Sequence, residues 1–301
     1  MSLYEELCGI LGAKNVLKEE PMSRHTTFRI GGPADYFVIP DSAETILRII
    51  RSCTEHKVPY YILGNGSNLL VGDKGYRGVV IQIYKNMNRI EAEGTCIKAQ
   101  AGALLSKIAA RALEQSLKGL EFASGIPGTL GGAVMMNAGA YGGEMKQVLE
   151  STRVLTREGA MLVLTAAELE LGYRTSIIAR KDYIVLDAVL RLEQGNAQAI
   201  QDYMNELKEK RVSKQPLEYP SAGSTFKRPA GHFAGQLIDA AGLRGFCVGD
   251  AQVSQKHCGF VINRGNATAA EVVSLMEQVA DKVEASSGIR LEPEVKRIGE
   301  F

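Results

Sequence analysis

Apolar residues recur at helical spacing along several stretches of this chain, and short β-rich runs fill the intervals between them. Ile46, Ile49, Ile50 and Cys53 follow Asp41-Ser-Ala-Glu44, which has the form of a capping box, so the spacing predicts a helix there. Val58-Pro-Tyr-Tyr-Ile-Leu63, Val79-Val-Ile-Gln-Ile83 and Cys96-Ile-Lys-Ala-Gln100 read as strands. Leu104, Ile108, Ala112 and Leu113 share a face and predict a helix over about 103–118, with Gly119 as its stop. Strand-like segments follow at 151–157 and 183–192, then a helix at about 197–211. A second capping box, Thr268-Ala-Ala-Glu271, precedes Val272, Leu275, Met276, Val279 and Val283 and predicts the last long helix. The tail from Ile289 to Ile298 reads as a strand. With no internal repeat, the expected class is α+β with mixed sheets.

Two glycine-rich loops interrupt this pattern. One is Leu63-Gly-Asn-Gly-Ser-Asn-Leu-Leu70; the other runs from Ser124-Gly-Ile-Pro-Gly128 through Gly131-Gly132 to Asn137-Ala-Gly-Ala-Tyr-Gly-Gly-Glu144. Glycine lets main-chain N–H groups come close to a ligand, and exposed N–H groups form nests for anions. Two such loops suit the two ends of an extended anionic cofactor. Neither fits the usual fingerprints: the first lacks the third glycine of G-x-G-x-x-G, and the second lacks the Lys-Ser/Thr ending of a P-loop.

Composition narrows the choice. The 301 residues are 45% hydrophobic and 23% charged, with a net charge of +1, as expected of a globular protein of two or three domains. Nothing in that balance recommends nucleic acid as a partner, and no apolar run reaches the ~18–20 residues of a membrane helix. The N-terminus has no signal pattern. Cys8, Cys53, Cys96, Cys247 and Cys258 are scattered and odd in number, which points to reduced thiols in the cytoplasm. His25, His56, His232 and His257 have no metal-ligand spacing, so no metal is expected.

Together these segments resemble the UDP-N-acetylenolpyruvoylglucosamine reductase family, flavoenzymes that make UDP-N-acetylmuramic acid for peptidoglycan. The resemblance runs from Thr27-Phe-Arg-Ile-Gly-Gly-Pro-Ala-Asp35 to Glu292-Pro-Glu-Val-Lys-Arg-Ile-Gly299. It rests on both glycine loops, Tyr173-Arg174 and Tyr219-Pro-Ser-Ala-Gly-Ser-Thr-Phe-Lys-Arg-Pro229 in that order. It implies a two-part FAD-binding region of the vanillyl-alcohol-oxidase type, at 1–84 and 85–195, and a third α+β domain for substrate at 196–301. The terminal strand, about 289–299, would return toward the flavin site. The chain is similar to the shorter class of the family, which lacks an inserted tyrosine-bearing loop; Tyr203 and Tyr219 are candidates for the site's neighbourhood, and neither is assigned that loop's role.

The implied reaction takes hydride from FAD, reduced by NADPH, to the enolpyruvyl group of UDP-N-acetylglucosamine enolpyruvate. On the matching residues, Arg174 stabilises charge at the carboxylate, Ser224 donates the proton, and Glu294 polarises the intermediate or acts as an acid. Ser221 and Glu292 are the neighbouring alternatives. Residues two apart on a strand share a face, so spacing alone leaves Glu292 and Glu294 open. FAD contacts are expected from Gly64, Asn65, Gly66, Ser67 and Asn68 and from Ser124, Gly125, Ile126, Pro127, Gly128 and Thr129, with Gly131 and Asn137 nearby. Gly31 and Gly32 read equally well as a turn. Tyr173, Arg211, Lys227 and Arg228 are the substrate-binding candidates, the three cations because they suit a diphosphate. His257-Cys258 reads as packing or turn. The competing functions are a flavin-dependent oxidase of the same FAD fold and a non-catalytic binding module. A cytoplasmic monomer or weak homodimer is expected, without nucleic-acid or membrane partners.

Overall fold

A computed structural model describes all 301 residues. The chain forms two compact units, each assembled from separated segments. The first comprises Met1–Leu17, Val38–Asn65 and Val80–Arg211; the second comprises Lys18–Phe37, Gly66–Val79 and Val212–Phe301.

The first unit is built on an antiparallel sheet in the spatial order Met161–Thr165, Leu149–Leu155, Ile184–Arg191, Cys96–Gln100, Ile90–Glu93. Its central strand, Ile184–Arg191, is a nearly continuous apolar run that is buried almost throughout, as a strand covered on both faces should be. In helix Ala43–Glu55 the residues Ile46, Ile49, Ile50 and Cys53 are all buried. Its N-cap falls one residue later than the sequence suggests: Ser42 Oγ accepts from Thr45 N at 3.2 Å, and Asp41 binds the Thr45 hydroxyl at 2.9 Å. The next helix, Leu105–Glu114, is shorter than expected. Ser116 turns left-handed at φ +55°, and Leu117–Lys118 pairs instead with Glu193–Gln194.

The second unit carries an antiparallel sheet in the order Ser221–Ser224, Phe260–Asn263, Ala251–Val253, Cys247–Val248. Helix Ala269–Ser287 covers it, burying Val272, Leu275, Met276, Val279 and Val283 in one core with Phe28, Leu70 and Phe226. The expected capping box is present, with Thr268 and Glu271 exchanging bonds of 3.1 and 3.0 Å. Asp73 adds a second cap, accepting from Ala269 N at 2.7 Å and Ala270 N at 2.9 Å, where a negative charge suits the helix dipole. Of the tail, only Lys296–Ile298 is a strand, parallel to Leu69–Val71. Upstream of it Pro293, which lacks an N–H, makes only an isolated bridge with Phe226.

Candidate active site

In the first unit Gly64 and Asn65, which open the first glycine loop, are tied to the second loop. Asn65 Nδ2 donates to the Pro127 carbonyl at 2.7 Å. Gly64 faces Thr129 so closely that a Cβ on it would lie 2.4 Å from Thr129 Oγ1. Main-chain bonds from Leu105 N to Gly128 O (3.0 Å) and from Gly131 N to Ala101 O (2.8 Å) fix the second loop. Beside them lies a chamber of about 200 Å³, lined among others by Tyr60, Gly64, Ile83, Thr129, Gly131 and Ile178. The lining is largely apolar, with Arg157 and Asp182 as its charged members, and burial raises the Tyr60 hydroxyl pKa above its ordinary value. An apolar chamber opening beside tight glycine turns fits a planar ring system joined to a charged linker, as in a flavin dinucleotide.

Ser124 donates its hydroxyl to the Glu121 carbonyl at 2.8 Å, and Ile126 N donates to Ala123 O at 3.1 Å. Arg211 is placed against this loop: a Cβ on Gly125 would lie 2.6 Å from its Nε, and its guanidinium lies 5.7 Å from the Tyr141 ring. Burial works against the Arg211 charge and lowers its pKa.

Arg174 sits in a turn closed by Gly172 N to Thr175 O (3.1 Å) and Thr175 N to Gly172 O (3.3 Å), in the left-handed region at φ +55°. Its guanidinium lies 5.1 Å from the ring of the exposed Tyr173. Asn137 is 2% exposed and turns its side chain inward, donating to Glu144 Oε2 at 2.9 Å and to the Gly172 carbonyl at 3.2 Å.

In the second unit, strand Ser221–Ser224 bulges against Phe260–Asn263: Ser221 pairs with Ile262 and Ser224 with Phe260. Gly223 absorbs the extra residue at φ +77°. Ser224 is left exposed between this bulge and the buried Thr225 and Phe226. Ser221 lies outside the turn, its carbonyl accepting from Thr27 Oγ1 at 2.7 Å. A short ladder then joins 225–227 to 292–294, with Glu294 N donating to Thr225 O and Lys227 N to Glu292 O, both at 2.8 Å. The side chains of Glu292 and Glu294, which spacing left open, stand in different surroundings. Glu292 pairs with Lys227 Nζ at 2.9 Å, whereas Glu294 is half-buried beside the Ser224 segment. Asn68 extends the network, its Nδ2 donating to Glu294 O at 3.2 Å and its carbonyl accepting from Lys296 N at 3.0 Å. Gly66 accepts from Thr27 N at 3.2 Å, and Ser67 next to it is half-buried. Arg228 packs on Phe233 at 3.9 Å from the ring centroid, with Phe233 50% exposed.

Cys258 and His257 form no nucleophilic pair. Cys258 is buried with its thiol directed at Asp239 Oδ1 (3.5 Å), and burial pushes it up to about 11. His257 Nδ1 accepts from Gly259 N at 3.0 Å. No cluster of His, Cys, Asp and Glu is placed to hold a metal ion. No helix is long and apolar enough to cross a membrane.

Residues 34–165 match the model of an FAD binding domain, and 215–298 match the C-terminal domain of UDP-N-acetylenolpyruvoylglucosamine reductase. The reductase of Agathobacter rectalis is 57% identical over 95% of both chains. The chain belongs to the UDP-N-acetylenolpyruvoylglucosamine reductase family. The crystal structure of the family's enzyme from Thermus caldophilus superposes with a TM-score of 0.81 at 36% identity, covering 94% of this chain and 98% of that one. The p-cresol methylhydroxylase structure matches with a TM-score of 0.50 at 15% identity, over 97% of this chain and 65% of that one, which is a likeness of fold alone. The fold is therefore α+β with the FAD-binding architecture expected of this reductase family. Arg174 stands in the first unit, Ser224 and Glu294 in the second.

Proposed function

We propose that this protein reduces UDP-N-acetylglucosamine enolpyruvate to UDP-N-acetylmuramate, with Arg174, Ser224 and Glu294 as its catalytic residues. Family membership at 57% identity supports the activity, and the half-buried Glu294 beside the Ser224 segment, with Glu292 turned to Lys227, supports the choice of residues in the second unit. Bound FAD, reduced by NADPH, supplies the hydride that adds to the enolpyruvyl methylene carbon. The addition leaves negative charge at the carboxylate end and a carbon that needs a proton, and both needs fall to the protein. The Arg174 guanidinium holds the carboxylate by a two-point fork and stabilises the growing charge. Ser224, exposed at the end of its strand, delivers its hydroxyl proton to the α carbon. Glu294, fixed beside the Ser224 segment through its main chain, polarises the intermediate.

Residues 64–68, 124–129 and Gly131 hold FAD in this reading. Lys227 and Arg228 take the UDP diphosphate, Tyr173 serves the substrate as well, and Arg211, packed on Gly125, braces the cofactor loop. The five free cysteines support a cytoplasmic site of action, and a monomer or weak dimer suffices for this chemistry. The deciding experiment is an anaerobic visible spectrum of the purified protein. A flavin spectrum that NADPH bleaches and UDP-N-acetylglucosamine enolpyruvate restores is the expected result. Bleaching that only oxygen reverses overturns the reductase reading in favour of an oxidase.

A further inference from the structure

The turn that carries Arg174 is anchored at both of its ends to one short segment, residues 135–137. At the front, Asn137 Nδ2 donates to the Gly172 carbonyl at 3.2 Å. At the back, Ser176, 0% exposed, donates its hydroxyl to the Met135 carbonyl at 2.6 Å. Arg174 lies between these bonds in a left-handed conformation that non-glycine residues seldom adopt unless their surroundings impose it. The orientation of the Asn137 amide is fixed because Lys146 N donates to its Oδ1 at 2.9 Å. That leaves its two N–H groups for Glu144 Oε2 and Gly172 O. Asparagine suits this position: it combines two donors with an acceptor and tolerates the left-handed backbone that Asn137 itself holds at φ +45°. Residues 135–137 close helix Leu130–Met135, which follows directly from the second glycine loop.

We propose that Asn137 is a positioning residue for Arg174, holding the arginine turn in register with the glycine segment. This rests on the reading that Arg174 grips the substrate carboxylate. Expected from the sequence beside FAD, Asn137 instead commits its amide to Glu144 and Gly172, so in this proposal it acts on the substrate half-reaction, through the arginine.

The test is Asn137→Gly, which keeps the left-handed backbone free of strain and removes only the amide. Misplacing a binding group by about an ångström costs up to ~10²-fold, so reoxidation of reduced enzyme by substrate is expected to slow by roughly 10- to 100-fold. Flavin reduction by NADPH and the FAD-to-protein ratio are expected to stay near those of the native protein. In an Arg174→Ala background the Asn137→Gly change is expected to slow reoxidation no further. Ser176→Ala, which releases the other anchor, should reproduce the same one-sided defect and serves as the second probe should Asn137→Gly not fold. Unchanged reoxidation in both variants, equal slowing of both half-reactions, or a full additional loss on top of Arg174→Ala overturns the proposal. Normal reoxidation in Arg174→Ala by itself overturns the reading of Arg174, which distinguishes the two failures.

Discussion

The main-chain N–H of Glu294 donates to the Thr225 carbonyl at 2.8 Å, so Glu294 is stitched to the residue that follows Ser224. Glu292, two residues earlier, directs its carboxylate at Lys227. Glu294→Gln should slow substrate-driven flavin reoxidation by ~10²–10⁴, the usual worth of a proton-transfer or polarising group. Glu292→Gln breaks only an exposed ion pair, and its effect should stay within a few-fold. Stopped-flow traces of the two variants decide it, and a larger loss in Glu292→Gln reverses the assignment.

Ser224→Ala should separate the half-reactions. Reduction by NADPH persists, while reoxidation by substrate slows by ~10²–10⁴. Ser221→Ala should leave both rates close to native, because it is the Ser221 carbonyl that the structure uses, as acceptor for Thr27.

Gly64→Ala tests the cofactor loops without touching chemistry. The new methyl meets Thr129 Oγ1 at 2.4 Å, so Thr129 or the loop must shift. Overpacking of this kind costs ~1–3 kcal/mol of stability, so Tm should fall, and the displaced loop should weaken FAD binding in a flavin-fluorescence titration. Full retention of FAD argues against the loop as its cradle.

Acid should weaken the second unit through His257. Burial depresses its pKa below the usual 6.5, so folding favours the neutral ring. That contribution is fully present above about pH 6.5 and is lost as pH falls through the depressed folded value. Thermal melts from pH 7 to 5 should show a declining Tm, and His257→Gln, which cannot be protonated, should flatten the decline.

Thiol labelling separates the cysteines by burial. Cys53 and Cys258 are buried, with thiols pushed up to about 12 and about 11, so neither should react at pH 8 until the protein unfolds. Exposed Cys247 should label rapidly, with turnover retained. Early labelling of Cys258 contradicts its placement.

What the sequence revealed depended on how local each signal is. Helix Ala269–Ser287 announces itself through its cap and its apolar stripe, both contained in one segment. Strand Met161–Thr165 does not: at the sheet edge Met161 and Val163 are 61% and 67% exposed, so no alternation of buried and open positions marks it. The glycine loops were legible because close backbone approach demands that residue type. A two-residue period could not divide Glu292 from Glu294, and only the family pattern pointed to Glu294; the pairing of Glu292 with Lys227, 65 residues away, leaves no local trace. The partners of Asn137, 7 and 35 residues away, leave no local trace either. Nor does a contiguous reading show that 18–37 and 66–79 fold with 212–301.

Strand Leu69–Val71 leaves the ribosome more than two hundred residues ahead of Lys296–Ile298, the strand it pairs with. At ~5–20 residues per second, the early strand waits on the order of ten seconds or more for its partner. Leu70 and Val71, fully buried in the finished protein, lack that cover throughout translation. A premature stop anywhere between the two strands therefore leaves a long polypeptide in the state that chaperones and proteases recognise.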